Sequence, residues 1–360
     1  MNRRTILGLL LAGLALTGGT PAEPGDPAPG DRLERFRQLA ASRLGALELS
    51  GHAPSEEALA EIYALLDDEI VESLASGSLF ASEAFLQEQL DAFTDTWGGA
   101  ALRIRAVGYG LLVGAFQLSP GGPGNSVRVY DRRGGARLIQ AIHGEGAPLL
   151  EELPPRRTGA PQFLVAWVGP QSSRGNTALR LELWQVTGAS VSRAWSTDGV
   201  TEGRLWVSQF SVGRQEVSFR YEVRYPGWKP GCDGQTEHED LYRYVPARET
   251  FVLARRQVHH GWHRDFHAGL LKFLRALETD DARLLAELAP ERAVRARLPA
   301  RLAPDLACDQ ADAPSPATVA TAAVSAGDGQ PWTLVFRRTA KGWRLAAADP
   351  VEPFSATITR

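Results

Sequence analysis

Several residue types are scarce in this sequence. Of 360 residues, two are cysteine, one is methionine and three are lysine, namely Lys229, Lys272 and Lys341. Two cysteines exclude a disulfide-dense scaffold and a four-thiolate metal knuckle. An excess of one charge sign is also missing, since 39 Lys+Arg against 42 Asp+Glu leave a net charge of −3. A chain so balanced has no basic field to attract nucleic acid or an anionic membrane without sequence-specific help. HExxH, GxSxG, Walker A, CxxC and the dinucleotide fingerprint do not occur. Zinc-protease, esterase-elbow, P-loop and Rossmann chemistries therefore have no signature here. Beyond Leu16 no apolar run approaches the length of a membrane span. What the chain does have is a 44% hydrophobic composition, which excludes wholesale disorder.

The N-terminus reads as an address. Arg3 and Arg4 precede an apolar run from Ile6 to Leu16, followed by the small residues of Thr17-Gly-Gly-Thr-Pro-Ala22. This is the three-part layout of a secretory signal spanning residues 1–22. Asn2-Arg-Arg-Thr-Ile-Leu7 also resembles the bacterial twin-arginine export signal, and an ordinary signal with two arginines at its positive end stays open beside it. Residues 23–31 hold three prolines and two glycines and read as a linker. The mature chain is expected outside the cytoplasm, periplasmic or secreted, without a transmembrane span.

The rest reads as an α+β multi-domain protein. Residues 32–100 carry a helical period. Ser55 is a candidate N-cap before Glu56 and Glu57, and Leu59, Ile62, Leu66, Ile70 and Leu74 recur at offsets of three and four. Ser82 opens a second such segment with Leu86, Leu90, Phe93 and Trp97, ended by Gly98-Gly99. Residues 101–262 switch to period two. Val217, Phe219, Tyr221, Val223 and Tyr225 alternate with polar residues, as do Leu179, Leu181 and Leu183. Runs at Val127, Leu181 and Leu241 are each followed by a second run near 138, 191 and 251. Each is also preceded by one, at Leu111–Leu118, Phe163–Val168 and Val217–Val223. Three antiparallel meander units in series are the simplest account. They look like propeller blades, yet three are fewer than a closed ring usually needs, so an open sheet, a sandwich or a partial propeller is expected.

Residues 263–360 begin with helical spacing at Phe266, Leu270, Phe273 and Leu277, then a short helix stopped by Pro290. Strands are expected at Thr318–Ser325, Trp332–Arg337 and Trp343–Ala347. Helices followed by a short meander ending in GWRLAAADP resemble the last part of nuclear-transport-factor-two-like domains. The resemblance implies a cone-shaped α+β fold and no particular activity.

Candidate chemistry lies in three places. Cys232 and Cys308, 76 residues apart, are expected to form one disulfide in an exported chain. By loop entropy such a link stabilises by roughly 4 kcal/mol. HHGWHRDFH contains His259, His263 and His267 with Asp265, and its i, i+4 histidine pairs are spaced as metal ligands on a helix are. Gly261 interrupts that helix, so a polar junction between domains accounts for the segment as well. The loop from Tyr225 and Trp228 through Asp233, Glu237, His238, Glu239 and Asp240 combines two aromatics with a dense carboxylate group. It lacks the alternating ligands of a calcium loop and reads as a solvated acidic binding loop pinned by the disulfide. The tryptophans, Trp167, Trp184, Trp195 and Trp206 among them, are expected to pack the core. No cofactor is implied. The function expected is that of an exported, non-catalytic binding or interaction protein, its partner another protein or a small ligand and not nucleic acid. The alternative is a metal-dependent or hydrolytic enzyme that uses the His259–His267 segment.

Overall fold

The computed structural model describes residues 34, 35, 38 and 56–351, apart from 78, 97–99, 109, 120, 121 and 123. The expected signal and linker lie outside the described residues. Within residues 56–351 two helices come first, α1 (Glu56–Ser76) and α2 (Glu83–Thr96). Glu56 and Glu57 occupy the first turn of α1, where the helix dipole favours carboxylates. Gly77, with φ 72°, ends it in the left-handed conformation that a glycine adopts without a Cβ penalty. Ser82 caps α2, its Oγ accepting from the Phe85 N–H at 3.3 Å.

Twelve antiparallel strands follow. β1 (Ala101–Ala106), β2 (Leu111–Gln117), β3 (Asn125–Asp131) and β4 (Arg137–Gly144) form one sheet in sequence order. β5 (Ala147–Glu152), β6 (Gln162–Gln171), β7 (Thr177–Thr187), β8 (Ser190–Ser196), β9 (Trp206–Val212), β10 (Glu216–Glu222), β11 (Glu237–Val245) and β12 (Thr250–His259) form the second. Strand β7 is long enough to serve two neighbours. Its start pairs with β9 through Thr177–Val207 and Ala178–Trp206, and its end pairs with β8 from Glu182 to Thr187.

The layers follow from which side of each strand is apolar. Leu102, Ile104, Leu112 and Phe116 pack against Ile62, Leu66 and Ile70 of α1 and Leu86 and Leu90 of α2. From the opposite face of the same sheet, Leu111, Val113, Val127 and Val129 meet Phe163, Val165 and Trp167 of β6. Leu164, Ala166, Leu181 and Leu183 then meet Val217, Phe219 and Tyr221 of β10. Strands β2 and β6 are thus covered on both faces and read as near-continuous apolar runs, whereas β10 buries every second residue.

The helix–sheet layer contains a buried ion pair. Asp67 on α1 takes the Arg128 Nε at 2.6 Å and the Tyr130 hydroxyl at 2.7 Å, and the Arg128 Nη2 as well. The Arg128 guanidinium lies 4.6 Å over the Tyr63 ring. Burial pushes the hydroxyls of Tyr63 and Tyr130 up, so both stay protonated donors.

The C-terminal segment has α3 (Gly261–Glu278), α4 (Ala282–Leu288), α5 (Arg292–Arg295) and strands β13 (Leu302–Pro304), β14 (Gln310–Ala311), β15 (Val319–Ala326), β16 (Pro331–Thr339) and β17 (Gly342–Pro350). The sheet runs β13-β15-β16-β17, with β14 also on β15. Trp262, Phe266, Leu270 and Phe273 of α3 pack on Ala320, Ala322, Leu334, Phe336 and Trp343. Helix α3 begins two residues before His263, because His260 takes a left-handed φ of 49° and lets Gly261 enter the helix as its first residue. Among the described residues no helix is long and apolar enough to cross a membrane.

Asp67→Ala leaves the Arg128 charge buried without its carboxylate, and a loss of about 3–5 kcal/mol is expected in denaturant unfolding. An apolar replacement of the pair, Asp67→Leu with Arg128→Met, is expected to lose much less. Equal losses for the two variants would show that the layer depends on packing alone.

Candidate functional site

The loop between β10 and β11, residues 223–236, shapes two neighbouring features: a buried polar cluster and an open groove. It starts with a tight turn in which the Trp228 N–H donates to the Tyr225 carbonyl at 2.8 Å. Pro226 and Gly227 take the central positions, Gly227 with φ 95°, the arrangement of a type II turn. A Cβ at Gly227 would also run into the His267 ring, so glycine is required for backbone and for space. Gln235 plugs the loop. Its Oε1 accepts from the Lys229 N–H at 2.8 Å, and its Nε2 donates to the Lys229 and Cys232 carbonyls at 2.6 and 3.0 Å. The expected disulfide is present: Cys232 and Cys308 are joined, their Cα atoms 5.4 Å apart.

That link carries Asp309 under the loop. Asp309 Oδ2 accepts from His267 Nε2 at 2.7 Å and lies 3.2 Å from His263 Nε2. Its Oδ1 pairs with Lys229 Nζ at 3.1 Å, and the same ammonium donates to the Ala307 carbonyl at 2.5 Å. The Tyr225 hydroxyl accepts from the Thr236 N–H at 3.3 Å and lies 2.6 Å from His263 Nδ1. These partners assign its proton to Nδ1, which leaves the His263 Nε2–H to Asp309. The side chains of His267 and Asp309 are each 1% exposed. Burial works against the Asp309 carboxylate, but hydrogen bonds from His263 and His267 and the nearby His267 and Lys229 charges outweigh it and hold the carboxyl below its ordinary range. Burial lowers His263, with His267 and Lys229 adding to it and Asp309 opposing.

Of the histidine segment, then, the fold brings together His263 and His267 but not the other two candidates. His259 pairs with Glu239 at 2.8 Å, and Asp265 sits exposed on α3. The ligand atoms of His263, His267 and Asp309 lie within 4.8 Å of one another, close enough for one ion. However, the carboxylate already takes imidazole N–H groups and an ammonium, so a metal would have to displace Lys229 and strip protons from both rings. The arrangement is that of a closed ionic clasp.

The expectation of one solvated acidic loop gives way to strand pairing. Glu237, His238, Glu239 and Asp240 belong to β11. Glu237 binds Arg220 at 2.8 Å, and Asp240, its side chain fully buried, binds Arg256 at 2.7 Å and the Tyr221 hydroxyl at 3.1 Å. Only Asp233 of this group stands in solvent, 98% exposed and 2.9 Å from Arg174.

Beside the clasp, the outer side of the loop forms one wall of a groove of about 710 Å³. Trp228 and His238 of the sequence candidates line it, together with Thr201, Trp206, Tyr221, Arg224 and Arg256. Two polar atoms in this wall are buried with no hydrogen-bond partner, the Thr201 hydroxyl and the Trp228 indole N–H. Arg224 lies over the Trp228 ring at 5.2 Å and Arg204 over the Trp206 ring at 5.8 Å. Trp206, expected as core, is half-buried here, at the start of β9, where it lines the groove. Arg174 fixes the rim, reaching Glu222 at 2.6 Å and the Cys232 carbonyl at 3.2 Å.

Two outcomes are expected. Gly227→Ala should destabilise by at least the roughly 1–3 kcal/mol of a residue forced into left-handed backbone, with the His267 contact adding to it. Denaturant unfolding measures this, and a change within error would contradict the close packing of loop on helix. Second, a group whose pKa is depressed on folding binds more protons when unfolded, so its stabilisation is lost as pH falls. Stability should therefore begin to fall below the ordinary histidine value of 6.5 through His263, and continue falling through the carboxylate range through Asp309. Melting temperatures of wild type and His263→Gln across that window test it; the variant should lose the upper part of the slope, and identical profiles would refute the assignment.

No family model matches the chain, and no curated protein matches it significantly. Among solved structures, it aligns with a protein of Bacteroides fragilis NCTC 9343 assigned as a 6-phosphogluconolactonase, at 7% identity and a TM-score of 0.17 over 71% of this chain and 85% of that one. It also aligns with the periplasmic gluconolactonase of Pseudomonas aeruginosa, at 10% identity and a TM-score of 0.17 over 68% and 66%. Likenesses at this score carry no argument about fold or activity.

Proposed function

We propose that the protein is an exported, non-catalytic binding protein of the cell envelope or secreted space, and that the groove beside Trp228 holds a small polar ligand. The observation that carries this reading is the pair of buried, unpartnered polar atoms, Thr201 Oγ1 and Trp228 Nε1, in the wall of one groove. Leaving such groups unpaired costs about 1–3 kcal/mol each, and a ligand toward which the Thr201 and Trp228 side chains turn recovers that cost on binding. Export is supported by the signal-like N-terminus and by the single disulfide, which persists in oxidising compartments.

The enzyme alternative gains less support. His263, His267 and Asp309 are enclosed and satisfied by one another and by Lys229, and none of them lines the groove. A general base needs an opening to its substrate, and the clasp faces protein on every side that its hydrogen bonds define.

Thermal shift measurements across a panel of sugars, carboxylates, amino acids and phosphate esters test the proposal. A bound member stabilises by mass action, about 2.7 kcal/mol at a hundredfold excess over Kd. Trp228→Phe, which keeps a ring but removes the N–H, and Thr201→Val should abolish that response while folding normally. A ligand whose effect survives both variants would place binding elsewhere.

A further inference from the structure

The groove's chemistry indicates the class of ligand, an inference that rests on the binding reading above. Among the arginines lining it, Arg174 is neutralised by Glu222 and Asp233, and Arg256 by Asp240. Arg224 has no carboxylate partner among the described residues; its contact is the Trp228 ring. A guanidinium stacked on an aromatic face keeps its in-plane N–H fork free, and that fork matches the two oxygens of a carboxylate. Beside it lie Thr201 and Trp228, whose buried hydroxyl and N–H suit ligand hydroxyls once the side chains turn, and the carboxylate of Glu202 lines the same groove. Trp206 adds an aromatic surface, and such surfaces pack against the C–H face of a saccharide ring.

The groove also shares a lining residue with a neighbouring cleft. Arg204 lines both it and a second cleft of about 500 Å³ that includes Gly144, Gly169 and Trp167. A Cβ at Gly144 would meet the Trp167 ring and one at Gly169 would meet Ala178, so both glycines keep that cleft close-packed at its base. Arg204 pairs there with Glu145, leaving Arg224 as the arginine of the groove without a carboxylate partner among the described residues. A compact anion such as phosphate would satisfy Arg224 but not Thr201 or the aromatic wall, and a neutral sugar would leave the stacked fork unused. We infer that the ligand is an acidic oligosaccharide, its uronic carboxylate on Arg224 and its chain running past Arg204 into the second cleft.

Calorimetry on the mature full-length protein tests this with di-, tri- and tetrasaccharides of galacturonic and glucuronic acid, alongside the same oligosaccharides after carboxyl reduction. The acidic forms should bind, more tightly with length, and the reduced forms should bind about tenfold or more weakly. Arg224→Gln should cause a similar loss for the acidic forms and little change for the reduced ones. Arg204→Gln should weaken the tetrasaccharide more than the disaccharide. Equal affinity of acidic and reduced forms, or no effect of Arg224→Gln, would overturn the inference. If no acidic saccharide binds while another ligand stabilises wild type but not Trp228→Phe, the saccharide assignment fails and the groove stands. If nothing acts through Trp228, both fail.

Discussion

The carboxylate of Asp309 receives the imidazoles of His263 and His267 from α3 and the ammonium of Lys229 from the β10–β11 loop, and these contacts bind the C-terminal segment to the large sheet. In a dry setting a charge satisfied on several sides is rigid, and one deprived of a partner is strongly destabilising. The groove inherits that rigidity. Trp228 adjoins Lys229 in sequence, so the wall that carries the unpartnered indole is held one residue from the clasp. The disulfide acts on the same span from the other side, since Cys308 and Asp309 are consecutive.

A binding surface made from a long loop ordinarily loses ordering entropy when it engages a ligand. Here the loop is ordered beforehand by contacts within itself, with α3 and at its rim. Gln235 fills its interior, Gly227 lets it lie against α3, and Arg174 anchors its rim to β10 and the Cys232 carbonyl. Its one strongly exposed carboxylate, Asp233, is spent on Arg174. In the proposed binding role, specificity rests on the few groups left without partners.

Much of the architecture was readable from periodicity, and the exceptions have physical causes. Strand β10 announced itself by alternation because one of its faces meets the core and the other meets water. Strands β2 and β6 lacked that signal because both faces are covered, and they stood out as short apolar runs instead. The short pieces β13, β14 and α5 lie in a proline-rich stretch that local pattern reads as irregular; they are held by pairing to β15 and by packing of Val294 and Leu302 into the core. At the site, helical spacing singled out His263 and His267, but nothing local marked Asp309. Its position depends on the disulfide, a contact between residues far apart in sequence. The clue was Asp309 beside Cys308 and Lys229 three residues before Cys232, which brings opposite charges together once the thiols join. Glu237, Glu239 and Asp240 looked like a solvated group because their partners Arg220, His259 and Arg256 come from neighbouring strands.

Strand β12 ends the large sheet, and it is built unlike the strands inside it. Only Phe251 is buried; Leu253 to Val258 are exposed, with Arg255 and Arg256 in the middle. The register against β11 skips Ala254, which places a bulge beside those arginines. An unpaired strand edge is a template for other chains, but a bulge twists it out of line and arginines would have to be stripped of water to admit a partner. The row of open backbone groups at this border is thus guarded against edge-to-edge aggregation.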